Sequence, residues 1–249
     1  MENLANDLIS SLDPVAFASS IGFVCDGWQS RVLRSNSKRI LLNCSRQSGK
    51  SSIASILALH QSIYDHGSLV LLISPSLRQS NELFRKIAEF SNMLPSKPKL
   101  LEDNKLSCTL ENNSRIVSLP SSESTIRGYS GANLIIEDES ARVSDELYRA
   151  IRPMLAISKG RLVLMSTPFG KRGHFYKEWN EGEEWEKITI DAECCPRISK
   201  DFLETEKKAL GEWWYKQEYM CEFMDTVDSA FRTEDIDKMS KEEVVQWEL

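Results

Sequence analysis

Four short runs of aliphatic residues punctuate the chain, at Arg39 to Cys44, Leu69 to Ser74, Leu134 to Ile136 and Leu162 to Ser166. Their hydrophobicity is continuous rather than alternating, which is the pattern of strands covered on both faces in a mostly parallel sheet. Between them, Ser51 to His66, Leu77 to Met93 and Ser144 to Ser158 carry the spacing of amphipathic helices. The last of these opens with Ser144, Asp145 and Glu146, whose acidic side chains suit the positive end of a helix. Pro153 should kink that helix or end its first part, because proline removes a helical hydrogen bond. Leu106 to Leu119, broken at Asn112-Asn113, predicts an antiparallel hairpin. Strands alternating with helices specify an open α/β sheet with helices on its faces.

After about Asn180 the pattern changes. Five of the six tryptophans lie at Trp179 or later (Trp179, Trp185, Trp213, Trp214 and Trp247), with helical patterns at Ser199 to Leu210 and Glu212 to Met220 and no further convincing strand. The expected organisation is a core over residues 1–180, followed over 181–249 by a small helical appendage, packed on the core by its aromatic residues, and an acidic linker.

A length of 249 residues suits one α/β core with an appendage. The first residues lack the basic start and apolar stretch of a secretory signal, and runs such as Leu69 to Ile73 are too short to span a bilayer, so a soluble intracellular protein with no membrane partner is expected. Six scattered cysteines and three histidines show no metal-ligand spacing, and the cysteines read as reduced, mostly buried thiols. The net charge of −6 sits mainly at the end of the chain: from Asp225 onward there are eight acidic and three basic residues. A nearly neutral body can present a basic patch to phosphates, with Arg31, Arg34, Lys38, Arg39, Lys97, Lys99, Lys171 and Arg172 as available donors. Charge therefore permits a nucleic-acid partner without indicating one.

Three segments carry candidate chemistry. The first, Cys44-Ser45-Arg46-Gln47-Ser48-Gly49-Lys50-Ser51, follows an apolar strand and opens a helix, the context a phosphate-binding loop needs. Loop N–H groups and the helix N-terminus favour phosphate. Gly49 would let the backbone approach, Lys50 would reach the β- and γ-phosphates, and the Ser51 hydroxyl would ligate Mg2+; Cys44 replaces the usual first glycine. The nucleotide-binding set runs from Ser45 to Ser52.

The second segment, Asn133 to Ser140, is a buried strand ending in three carboxylates, Glu137, Asp138 and Glu139. Ligands of α/β sheets sit at the carboxyl ends of strands. An aspartate there can hold Mg2+ through water, and the next glutamate can orient or deprotonate the attacking water. Chemistry alone leaves the register ambiguous; Asp138 is assigned to the metal and Glu139 to the water, leaving Glu137 structural or solvated. The third, Arg161 to Gly170, ends a strand in Ser166 and Thr167, whose hydroxyls could contact the γ-phosphate and detect hydrolysis. Pro168 biases Thr167 to an extended backbone.

Cys44 to Ser52, Arg127-Gly128, Asp138 to Val143, Ser166 to Tyr176, and Leu210 to Trp214 followed by Gln217-Glu218-Tyr219, resemble the ATPase domain of tailed-phage terminase large subunits, in specific order from about Asp13 to Phe231. The resemblance implies a RecA-like P-loop NTPase fold of the additional-strand, catalytic-glutamate type, with a small C-terminal helical lid. It implies ATP hydrolysis that drives double-stranded DNA into a procapsid, a weakly associating ring of subunits, the portal protein and small terminase subunit as partners, and the infected host's cytoplasm, not the mature virion, as location. It also implies a nuclease domain, which this chain is not expected to contain. By the same resemblance Gln29 reads the adenine edge, Arg46 could touch the γ-phosphate in the same subunit, Arg127 matches an arginine finger across the subunit interface, with a phosphate contact in cis or a surface arginine as the alternatives, and Ser166 and Thr167 couple hydrolysis to movement.

Three rival readings remain. A two-domain helicase needs a second α/β domain, for which the chain has no room. A nucleotide-gated DNA-binding module without hydrolysis would keep Lys50 but tolerate loss of Glu139. A nuclease built on Asp191 and Glu193 has only one strand-end pair where a two-metal site is needed.

Overall fold

The computed structural model describes residues 2–120, 126 and 128–225. Arg127 and the acidic segment beyond Asp225 lie outside the described residues. Eight strands form one sheet in the order β3-β4-β5-β2-β6-β7-β1-β8. They are β1 (Arg39–Cys44), β2 (Leu69–Ser74), β3 (Leu100–Asn104), β4 (Ser107–Leu110), β5 (Arg115–Pro120), β6 (Leu134–Asp138), β7 (Arg161–Ser166) and β8 (Glu186–Ile190). The run from β5 to β8 is parallel throughout, and β3 and β4 extend it antiparallel beyond β5.

Each central strand divides its side chains between two cores. Ile40, Leu42, Val70, Leu72, Ile136 and Val163 face one side. Leu41, Leu71, Ile73, Ile135, Leu162 and Leu164 face the other. This two-sided burial is why the sequence shows unbroken apolar runs. Each such Leu or Ile, withdrawn from water, contributes about 1.5–3 kcal/mol. On the first face lie α2 (Pro14–Ser20), α3 (Gly27–Arg34), α4 (Lys50–Tyr64) and α5 (Leu77–Met93), with α1 (Glu2–Leu12) ahead of them. On the second lie α6 (Asp145–Ile151) and α7 (Gly173–Glu181). The last helix, α8 (Lys200–Glu218), is two segments joined across a kink at Gly211, whose φ of 79° lies in the region glycine enters without steric cost.

The expected hairpin forms as β4 and β5, with Asn113 taking φ 63° at the turn. The helix expected from Ser144 ends at Ile151 and tightens into a 3-10 turn over Arg152–Leu155, where Pro153 sits. The stretch after residue 180 needs correction: β8 joins the main sheet, parallel to β1. It escapes a periodicity reading because only Ile188 and Ile190 of its five residues are buried, at a sheet edge. The appendage is seated by Leu203, Tyr215 and Tyr219 against Ala192, and not by Trp213 and Trp214, which pack edge-on against each other. Cys44, Cys108, Cys195 and Cys221 are buried free thiols, as expected.

Candidate active site

Three neighbouring parallel strands, β6, β7 and β1, deliver the three candidate segments to one edge of the sheet. Ser166 pairs in register with Asn43, and Asp138 with Met165, so the strand ends are level. The insertion of β7 between the phosphate-loop strand and the acidic strand is the additional-strand arrangement.

After β1 the chain turns tightly. Gln47 has φ 60° and Gly49 φ 96°, after which α4 begins at Lys50. A side chain at Gly49 would be both strained and crowded: its Cβ would stand 3.0 Å from Gln29 Nε2. The loop is tied down from outside. Ser45 N–H donates to the Ile190 carbonyl (2.8 Å), Arg46 N–H to the Glu218 carbonyl (3.1 Å), and Arg197 Nη2 to the Ser48 carbonyl (3.0 Å). Strand β8 and helix α8 thus brace the loop directly. The Ser45 and Ser48 hydroxyls are buried without partners.

A cleft of about 740 Å³ opens over the loop, walled by Arg46, Lys50, Ser51, Glu139, Arg142 and Thr167. Lys50 Nζ lies 2.9 Å from Glu139 Oε1. Burial opposes the Lys50 charge, but Glu139 and Asp138 outweigh it and hold its pKa above the usual lysine value. Burial pushes Asp138 up to about 6, with Lys50 pulling the other way and Glu139 adding to the rise. Asp138 Oδ1 also accepts the Glu139 N–H (3.0 Å). Glu139 itself adopts φ 51°, ψ 41°, a left-handed backbone unusual for a non-glycine residue.

Ser51 and Asp138 wall one adjoining cavity of about 350 Å³. A hydroxyl and a carboxylate, with room for water and phosphate, fit the oxygen-only, sparsely protein-ligated coordination of Mg2+. A carboxylate whose pKa is raised by burial is also one that gains from a nearby cation.

The remaining predicted residues are unevenly placed. Thr167 is nearly buried and reaches the cleft, whereas Ser166 is wholly buried and donates to the Thr167 carbonyl (2.8 Å). The Arg46 guanidinium pairs with the Glu218 carboxylate of α8. Gln29 is wholly buried beside the loop; its Oε1 accepts the Asp26 N–H (2.9 Å), and its Nε2 is a buried donor without a partner. Gln47 stands exposed on the loop, and Ser52 is buried in α4.

A family profile described as "Terminase large subunit, T4likevirus-type, N-terminal" matches residues 41–238, most of the chain. The chain belongs to the terminase large-subunit family. A curated relative, the terminase large subunit of Thermus virus P23-45, is 26% identical over 254 residues, covering 86% of this chain and 52% of the relative. The chain therefore spans about half the length of the curated relatives it matches. Among solved structures, the ATPase domain of the Thermus phage P74-26 large terminase superposes with a TM-score of 0.72 at 20% identity, over 84% of this chain and 97% of that one. The HK97 bacteriophage large terminase gives a TM-score of 0.66 at 15% identity, over 80% of this chain and 51% of that one. These likenesses show the shared fold, the RecA-like sheet of terminase ATPase domains.

This terminase chain also contains site residues that sequence reasoning did not single out. Glu218 lies in a segment that carried the resemblance, yet its hold on Arg46 spans 172 positions and no local pattern announces it. Arg197 bridges the Ser48 carbonyl and Asp26 Oδ2 (2.8 Å), again without a sequence signal. Arg142, on the cleft wall, stands over the Phe169 ring at 3.9 Å, and Arg172, already an expected phosphate donor, lies over the same ring at 4.8 Å. Among the described residues no helix is long and apolar enough to cross a membrane.

Proposed function

We propose that this chain is the ATP-hydrolysing motor domain of a viral terminase large subunit, and that it drives double-stranded DNA into a procapsid as one member of a ring of subunits. The carrying observation is the convergence of Lys50, Asp138, Glu139 and Thr167 on two adjoining cavities, both lined by Lys50 and Glu139, at the level ends of β1, β6 and β7. Family membership supports the same reading.

In this account the loop N–H groups and the positive end of α4 receive the phosphates, and Lys50 leaves Glu139 to meet the β- and γ-phosphate oxygens. Gln29 offers its unpartnered Nε2 to the adenine edge. The Ser51 hydroxyl and the Asp138 carboxylate would hold Mg2+, which would supply charge neutralisation on the phosphate oxygens. Glu139, freed from Lys50, takes a proton from water; the water oxygen bonds to the γ-phosphorus as the bond from that phosphorus to the β–γ bridging oxygen breaks, leaving ADP and inorganic phosphate. Arg46, on release from Glu218, can offset charge on the transferring group from within the subunit. Arg127 does so from a neighbouring one, and Thr167 with Ser166 passes the loss of the γ-phosphate to the sheet. Portal protein and small terminase subunit are the partners that such a motor requires.

Phosphate release from Mg-ATP, measured with and without duplex DNA, tests this function. Release that depends on Lys50 and Glu139 is expected; a chain that binds ATP without turnover would be a nucleotide-gated binding module instead.

A further inference from the structure

Behind the Glu139 turn lies a buried polar cluster that the chemistry above does not use. Glu137 is wholly buried between Ile136 and the Asp138–Glu139 strand end. Its Oε1 accepts hydrogen bonds from Ser140 Oγ (2.5 Å) and His174 Nε2 (2.6 Å), while its Oε2 has no partner. His174 lies in the first turn of α7. Its backbone N–H donates to Asp145 Oδ1 (2.7 Å), its Nδ1 faces the same oxygen at 3.3 Å, and its ring stacks on Tyr148 at 4.3 Å with an interplanar angle of 8°.

Placing a carboxylate inside an apolar strand is costly, and a buried ion pair recovers that cost only with good geometry, so stability alone does not account for one here. The geometry suggests what does. Glu137 and Ser140 flank Asp138 and Glu139, and their hydrogen bond closes a short loop around the one residue of the turn with a left-handed backbone. Such strain persists only where surrounding contacts over-determine it. The same Glu137 oxygen reaches His174, and the chain from Thr167 to His174 is short and contains two left-handed glycines, Gly170 and Gly173.

We propose that Glu137, Ser140 and His174 are positioning residues: their hydrogen-bonded chain fixes the backbone of Glu139 and ties it to the segment leaving the coupling strand β7. This rests on the ATPase reading. Glu139 is thereby held aimed into the cleft, and a shift of the Thr167 segment reaches it through the Glu137 carboxylate and through Ser140 Oγ, which stands 3.0 Å from His174 Nε2. The elevated pKa of His174, where its bonds and charge interactions with Glu137 and Asp145 outweigh burial, agrees with a charged imidazolium in this bridge.

The test compares Ser140→Ala, a small change that leaves the core filled, and His174→Leu with wild type in kcat, KM, affinity for ATP-gamma-S and thermal midpoint. Ser140→Ala is repeated in the Glu139→Gln background. Ser140→Ala should lower kcat about tenfold or more, as a misaligned base does, with ATP-gamma-S affinity held within about threefold. It should cause no further loss when Glu139 is already Gln. His174→Gln, which keeps a donor towards Glu137, should recover activity that His174→Leu loses. Unchanged kcat in Ser140→Ala, parallel falls in kcat, affinity and thermal midpoint, or a full additional loss in the Glu139→Gln background would each overturn the assignment. A wild-type chain that releases no phosphate would overturn the ATPase reading itself, a different and separable result.

Discussion

Lys50 Nζ and Glu139 Oε1 face each other across the cleft at 2.9 Å, with both side chains largely withdrawn from solvent. The proposed phosphate-binding cation and the proposed general base therefore satisfy one another, and in this account nucleotide separates them. Lys50→Ala should weaken ATP binding by about 10- to 100-fold, the worth of a charge-assisted hydrogen bond. Glu139→Gln should bind ATP at least as well as wild type while kcat falls by about 10²–10⁴. Equilibrium binding beside steady-state turnover checks both. Normal turnover in Glu139→Gln would return the catalytic role to another carboxylate.

The Arg46–Glu218 pair holds the loop arginine on α8, with the arginine half exposed. Such a pair is worth at most about 1 kcal/mol. Glu218→Gln should therefore free Arg46 and tighten ATP-gamma-S binding by about two- to fivefold, with ADP affinity nearly unchanged. Calorimetric titration with both nucleotides reads the difference. Equal gains for ADP would show that Arg46 does not discriminate the γ-phosphate.

His174 should leave a pH signature on stability. Glu137 from β6 and Asp145 from α6 are the charged groups that face it, Tyr148 stacks on it, and its folded pKa lies above the ordinary value of 6.5. The folded state then holds the proton more tightly than the unfolded one. The stabilisation is fully present below about pH 6.5 and declines as pH rises through the elevated folded value. Thermal unfolding followed from below about pH 6.5 upward should show this decline in wild type and a flatter course in His174→Gln.

Arg127 acts in trans in this account, so the chain should be a sluggish ATPase when dilute, with specific activity rising with protein concentration. Mixing Arg127→Ala with Glu139→Gln should restore turnover at interfaces where an intact site meets an intact finger, since a finger supplied in trans is worth ~10³–10⁵. No recovery, with association confirmed by light scattering, would place the arginine in cis or outside the chemistry.

The central strands and the three site segments were legible in the sequence for one physical reason. Strands covered on both faces read as unbroken apolar runs, and the segments that follow them emerge together at one sheet edge. Strand β8 was not legible, because an edge strand with two inward isoleucines carries almost no signal. Glu137 shows the other limit. It read as structural or solvated; the fold buries it wholly, against the solvated alternative, and what makes that burial tolerable is a histidine 37 positions away. Likewise the motif revealed Arg46, but only the fold supplies Glu218 as its partner.

The most direct test is phosphate release from Mg-ATP by wild type and Glu139→Gln, side by side, at a concentration where subunits associate, with and without duplex DNA. The account predicts sustained release by wild type, raised by DNA, and a near-complete loss in Glu139→Gln despite retained nucleotide binding. Equal release by the two proteins, or none by wild type under either condition, would contradict it.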